Sequence, residues 1–350
     1  CHYEASTRIQ EIDGGNLGMV ILGISALYHD SAACMVKDGE IISAVQEERF
    51  SRKKHDMSFP YRAIDNCIRD LKERYGEIRI DAVAYYDDPL LTMDRMIRNI
   101  AAAGKDSRDI IDRSFDSMFS DKIWIHKYIK SIPELMDVPI YVSRHHLSHA
   151  ASAFYPSPFE KALILTMDGV GEWETTTVGV GDGEKIEIKE SIDYPHSLGL
   201  LYSAFTYFCG FKVNSGDYKF MGLAPYGNPI YEDLIKCELI DIKDDGSFRL
   251  NLEYFDFQFG RAMVNDKFAK LFGGVRREPE TRITRREMDI AASGQKVTEE
   301  IILKLVRHIK KTYGNDIDNL VIAGGVGLNC VANGKIRKSG IFKNLWIQPA

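Results

Sequence analysis

Two stretches decide the fold: 19-MVILGISALYHDSAACMVKDGEIISAVQEER-49 and 161-KALILTMDGVGEWETTTVGVGDGEKIEIKESI-192. Each opens with an apolar run that ends in a polar turn holding an aspartate, Asp30 or Asp168. Each then resumes as a second β-rich run and reverses at Asp38-Gly39 or Asp182-Gly183 into a third. Asp-Gly between β-rich runs is a hairpin signal, because both residues tolerate the left-handed backbone of a two-residue turn. The same order of elements in two places is a duplicated three-strand meander, visible by pattern rather than by identity.

The elements after each meander also correspond. The first is succeeded by an amphipathic helix at 61–75, a strand at 81–86, a helical insertion at about 90–135, a strand at 139–143 and the segment 144-RHHLSHAASAFYPSPF-159. The second is succeeded by a helix near 197–209, an irregular stretch and a long helix at 285–313. A strand at 319–323, a Gly-rich turn into a helix at 326–338 and a strand at 344–348 complete it. Strands alternating with helices predict mostly parallel sheets covered by helices. The expectation is an α/β fold of two βββαβαβ lobes: lobe I over 19–157 and lobe II over 158–350, with Pro156 and Pro158 at the break. Two such lobes would frame a cleft, with ligand groups at strand ends and helix N-termini. Residues 1–18 read as an upstream extension or an expression remnant, and lobe II reads as truncated just after its last strand.

The totals exclude several classes. With 350 residues, 45% hydrophobic and 27% charged, the composition is that of a soluble globular protein. Net charge is −6 and the basic runs are short, Arg52-Lys53-Lys54 and Arg285-Arg286 among them, so no broad nucleic-acid surface is expected. No apolar run approaches the ~18 to 20 residues that span a bilayer. The 6 cysteines are scattered without a CxxC pair, which reads as reduced, cytoplasmic usage.

On a helix, residues i and i+4 share a face, so His145 and His149 can address one metal while His146 points elsewhere. Two surface or capping histidines satisfy the same spacing. Asp168, at the end of the first strand of lobe II, supplies the carboxylate that makes a mixed N/O site, suited to a divalent transition metal. In 168-DGVGEWETTT-177 the backbone at Gly169 and Gly171 could cradle a phosphate, or simply form a hairpin turn. In 321-VIAGGVGLNCVANGK-335, Gly324, Gly325 and Gly327 permit close approach of a nucleotide, and the helix opening near Asn329 favours its anionic part. The spacing is not that of a dinucleotide fold. The stretch 216-GDYKFMGLAPYGNP-229 reads as a loop folded over a cleft, with Lys219 either a phosphate contact or a solvated lysine. His29 is a general-base candidate or a turn histidine, and Lys54 lies in the charged stretch 46-QEERFSRKKHD-56.

Taken in order, HDSAACMVKDGEI, QEERFSRKKHD, HHLSHAASAFY, DGVGEWETTTV, SLGLLYSAFTYFCGF, KFMGLAPYGN and AGGVGLNCVANGK resemble the N-terminal, actin-like part of the O-carbamoyltransferases of nodulation-factor and antibiotic biosynthesis. The tRNA threonylcarbamoyladenosine synthases are more distant relatives, sharing the HxxxH pair and the Gly-rich turn. The resemblance implies an actin-like two-lobed fold and transfer of a carbamoyl group from carbamoyl-adenylate to a hydroxyl of a small molecule. The adenylate is made from carbamoyl phosphate and ATP, with Mg²⁺, in a C-terminal YrdC-like domain that this sequence does not include. It further implies a metal, usually Fe²⁺ with Zn²⁺ or Mn²⁺ as alternatives, held by two histidines and two aspartates. His145, His149 and Asp168 match three of these ligands, and the fourth would lie beyond residue 350. His29 matches the family's cleft histidine and proposed base, Lys54 a cleft lysine, and Gly324, Gly325, Gly327 and Asn329 the nucleotide turn. On that reading this chain alone is inactive, the acceptor is unspecified and a homodimer stays open. The competing readings are an actin-like phosphotransferase or ATPase, tRNA threonylcarbamoyl transfer, and a nucleotide-dependent scaffold without catalysis.

Overall fold

A computed structural model describes residues 18–104, 111–112, 121–314 and 316–348. The expected extension at 1–18, save Gly18, and much of the expected insertion lie outside the described residues. The chain divides into two compact units. One runs to Tyr85 and includes Ile125–Tyr141; the other comprises Tyr86–Trp124 and everything from Val142 onward.

In the first unit, β1 (Val20–Ser25), β2 (Ala32–Lys37) and β3 (Glu40–Gln46) form the antiparallel meander, and β4 (Ala82–Tyr85) pairs parallel to β1. With β5 (Ile140–Val142) the sheet order is β3-β2-β1-β4-β5. Lys37 faces Glu40 across the first turn, and both turn residues are left-handed (Asp38 φ 52°, Gly39 φ 81°), as the Asp-Gly signal requires. Helix α1 (Tyr61–Tyr75) buries Ala63, Ile64, Cys67, Ile68 and Leu71, one face at helical spacing, and packs across β2 and β3.

In the second unit, helix α2 (Pro89–Ala103) is capped by Asp88, which accepts from the N–H groups of Leu90 and Leu91. Helix α3 (His145–Phe154) leads into β6 (Lys161–Met167), β7 (Glu174–Asp182) and β8 (Lys185–Asp193). Helices α4 (Leu198–Phe208), α5 (Asp217–Leu223) and α6 (Arg285–Tyr313) come next, α6 starting at a capping box of Thr284 and Glu287. A ribbon of β9 (Ile240–Ile242) and β10 (Phe248–Leu250) lies between α5 and α6 in sequence. Strand β11 (Asn319–Ala323), helix α7 (Cys330–Ser339) and β12 (Asn344–Ile347) complete the unit. The large sheet has the order β12-β11-β6-β7-β8, with β6 antiparallel to β7 and parallel to β11. This repeats the arrangement of the first sheet strand for strand, so the duplicated βββαβαβ, actin-like architecture is present.

Strand β6 is inside on both faces, and its alternation sorts the core. Ala162 and Ile164 meet Ala150, Ala153 and Phe154 of α3, whereas Leu163, Leu165 and Met167 join the larger cluster with Phe205 and Ile290.

Three expectations are corrected. The break at Pro156 and Pro158 does not separate the units: residues 142–157 belong with the second sheet, because α3 packs on β6 and β11. The segment 216–229 is not a loop. It begins with α5, whose Phe220 and Leu223 are buried one turn apart, Phe220 against Tyr202 and Phe205. The second hairpin is offset by one residue, since Asp182 pairs with Lys185 and the turn is Gly183-Glu184.

Candidate metal centre

The site is built where β6 ends. Asp168 comes directly after the strand, and its backbone N–H donates to Thr175 O (2.9 Å), which fixes the start of the turn into β7. Its carboxylate faces α3. Asp168 Oδ2 lies 3.0 Å from His145 Nε2 and 3.4 Å from His149 Nε2, one helical turn apart. The other oxygen, Oδ1, accepts from the backbone N–H of Gly325 at 3.1 Å. One ligand atom from each of His145, His149 and Asp168 falls within 4.8 Å of the others. Two imidazoles and one carboxylate on a common point are the donor set of a divalent transition metal, so the residues fit one.

The electrostatics of these side chains are consistent with their geometry. Burial works against charge on both partners. The hydrogen bonds and charges of His145 and His149 nevertheless hold the Asp168 carboxyl well below the usual range. His145 moves the opposite way: burial pushes its pKa down, but Asp168 more than offsets this and raises it. His146 is different. It points into the core, its Nδ1 2.6 Å from Thr166 Oγ1, and burial lowers its pKa to about 3, so it is a neutral structural histidine.

Glu172 is not singled out by the sequence, yet it sets the position of α3. Only 1% exposed, its carboxylate accepts from the His145 N–H at 2.9 and 3.0 Å and from the Asp88 N–H at 2.7 Å. A helix that starts at Arg144 with no side-chain cap of its own is thus capped from the Asp168 turn. The sequence signal is an acid four residues after Asp168, and nothing local ties it to a helix 27 residues earlier. Gly171 serves the same junction: a Cβ there would sit 3.0 Å from His145 Cβ and His146 Cδ2, and its N–H is taken by Glu174 O. The hairpin reading of this turn is realised, with the Gly171 N–H engaged inside it. Gly169 has open space where a side chain would be.

The Gly-rich turn abuts the same strand end. Gly324 has φ 92°, and a Cβ would lie 2.2 Å from Met167 O, so only glycine fits. Gly325 and Gly327 continue as a 3-10 turn, and α7 starts at Cys330 rather than Val326. Asn329 is buried: its Oδ1 accepts from the Ala332 N–H as helix cap, and its amide pairs with that of Gln295 in both directions. Lys219 is exposed on α5. His29 and Lys54 belong to the first unit, Lys54 exposed and His29 with its Nδ1 2.9 Å from Asp30 Oδ2.

Residues 20–350 match the family described as "Carbamoyltransferase N-terminus". The chain belongs to this carbamoyltransferase family. It is 52% identical over 338 residues to an uncharacterised protein of Synechocystis sp., covering 94% of this chain and 54% of that one. It is 33% identical over 330 residues to the nodulation protein NolNO of Sinorhizobium fredii, covering 93% of this chain and 45% of the other. Nodulation protein NolO of Bradyrhizobium diazoefficiens is 34% identical over 206 residues, 59% of this chain and 35% of that one. This carbamoyltransferase-family chain thus spans about half the length of the curated relatives it matches over most of its residues. Among solved structures, HypF of T. kodakarensis superposes with a TM-score of 0.46 at 13% identity, covering 95% of this chain and 46% of that one. No helix among the described residues is long and apolar enough to cross a membrane.

Proposed function

We propose that this chain carries the transfer site of an O-carbamoyltransferase, in which a carbamoyl group passes from carbamoyl-adenylate to a hydroxyl of a small-molecule acceptor. The observation that carries the reading is the convergence of His145, His149 and Asp168 at the end of β6, in a chain of this family. Carbamoyl phosphate and ATP are the proposed sources of the adenylate.

The step balances simply. The acceptor oxygen attacks the carbamoyl carbon, a C–O bond forms, and the bond from that carbon to the adenylate phosphate oxygen breaks. AMP leaves with the electron pair, and the hydroxyl proton passes to His29 Nε2 as general base. His145 Nε2, His149 Nε2 and Asp168 Oδ2 would hold a divalent transition metal, Fe²⁺ first, which when bound supplies Lewis-acid polarisation of the carbamoyl-phosphate region. Gly325 and Glu172 keep these ligands in register, one by fixing Asp168 Oδ1 and the other by capping α3. The Gly169 backbone and the Lys54 ammonium would counter charge developing on the leaving phosphate, with Lys219 a further phosphate contact. In the nucleotide turn, Gly324, Gly325 and Gly327 bring the backbone close. The Asn329 side chain is already engaged, so it acts by placing the N-terminus of α7.

The test uses the full-length protein supplied with ATP, carbamoyl phosphate and a panel of hydroxylated acceptors, read by mass, with the bound metal measured in parallel. A mass gain of one carbamoyl group, lost in His145→Ala, is the expected result. A phosphoryl gain that needs only Mg²⁺ would instead support the phosphotransferase reading.

A further inference from the structure

The loops after β1 and β3 are joined by more than chance proximity. Leu27 N–H donates to Met57 O (3.1 Å) and Ser31 N–H to Asp56 O (2.8 Å). Between these two bonds sits one carboxylate with two imidazoles. Asp30 Oδ2 is 2.9 Å from His29 Nδ1, and Asp30 Oδ1 is 2.9 Å from His55 Nδ1. Asp30 and His55 both have a left-handed backbone (φ 48° and 57°), and the His55 N–H donates to Glu48 Oε2 at 2.9 Å. Burial alone would raise the Asp30 pKa, but the hydrogen bonds from His55 and His29 outweigh it and hold the carboxyl below its usual value.

A carboxylate only accepts hydrogen bonds, so a ring nitrogen facing it must carry the proton. We propose that Asp30 is a positioning residue that fixes His29 in the Nδ1–H tautomer and so leaves Nε2 as the proton-accepting nitrogen. This rests on the reading of His29 as the base, and it deepens that reading by naming the group that prepares it. The arrangement is the general one of an acid behind a catalytic imidazole, in which the acid sets tautomer and orientation without taking the proton itself. The second histidine, His55, holds the other oxygen and keeps the carboxylate from turning away.

Asp30→Asn is the discriminating variant. Asparagine accepts a left-handed backbone as readily as aspartate, so the loop should survive. Its amide, unlike the carboxylate, can donate to Nδ1 and stabilise the opposite tautomer. Imidazole ¹⁵N NMR of the chain, with His29→Gln and His55→Gln used for assignment, should show protonated Nδ1 and unprotonated Nε2 for neutral His29. In Asp30→Asn the two should exchange roles. With the full-length protein, ATP and carbamoyl phosphate, AMP release to water as the acceptor hydroxyl should fall about 10- to 100-fold in kcat. KM for carbamoyl phosphate should stay within a few-fold. A neutral His29 protonated on Nε2 in the wild type would overturn the proposal, as would an unchanged tautomer in Asp30→Asn. So would a divalent cation, Mn²⁺ or Zn²⁺, bound by Asp30, Glu48 and His55, because it would occupy the carboxylate. If His29→Ala keeps the rate, the base reading fails on its own. If His29→Ala loses the rate while Asp30→Asn keeps it, only the positioning role fails.

Discussion

At the residue scale the chemistry turns on Asp168 and the two histidines that face it. The raised His145 and depressed Asp168 form an ion pair. Metal binding must displace the proton from His145. Affinity should therefore weaken as pH falls, by up to about tenfold per unit below the His145 pKa, and level off above it. Calorimetry in buffers of different ionisation enthalpy should find about one proton released per metal in the acid range, and fewer as pH rises. Without metal the sign reverses for His145, whose pairing stabilises the fold at low pH and is lost as pH rises through its raised pKa. The Asp168 contribution is present above the usual carboxylate pKa of ~3.9 and is lost only as pH falls through its depressed value. Glu172→Ala should cost about 1–3 kcal/mol in denaturant unfolding, because it strands the buried His145 N–H and the half-buried Asp88 N–H. The same change should weaken metal binding about tenfold or more, while Glu172→Gln, which keeps an acceptor oxygen, should recover much of both.

At the element scale, the site depends on how closely the turns approach α3 and β6. Gly324→Ala should be the more damaging glycine substitution, since it combines a left-handed backbone with a 2.2 Å clash against backbone; Gly171→Ala, whose neighbours lie at 3.0 Å, should cost about 1–3 kcal/mol, measured as a shift of the unfolding midpoint. Most of these elements are legible in the sequence, for a physical reason. The helices Tyr61–Tyr75 and Arg285–Tyr313 and the strand Asn319–Ala323 have the bounds their apolar periodicity indicates, because pattern and packing agree there. The segment 216–229 misleads because Gly216, Gly222 and Pro225 look like loop punctuation, whereas burial of Phe220 among Tyr202 and Phe205 holds α5 in place. Within the site, His145 and His149 are visible from their spacing and Asp168 from the repeat. Glu172 is not, because its partners lie on distant elements and its bonds run to backbone, which leaves no trace in residue type.

At the scale of the whole molecule, the two units share one sheet order, and the duplication seen in the sequence is a duplication of architecture. The second unit by itself contains His145, His149, Asp168, Glu172 and Gly325, so these three ligands and the groups that position them belong to one compact body. Metal binding at this centre is therefore testable on the chain alone, without the acceptor and without the rest of the longer relatives. The direct measurement is an anaerobic titration with Co²⁺ as a spectroscopic stand-in for Fe²⁺, comparing the chain with its His145→Ala/His149→Ala variant. A metal held by His145, His149 and Asp168 predicts a one-to-one, histidine-dependent d–d spectrum and an affinity at least about tenfold above that of the variant. Equal affinity and the same spectrum in both proteins would contradict it.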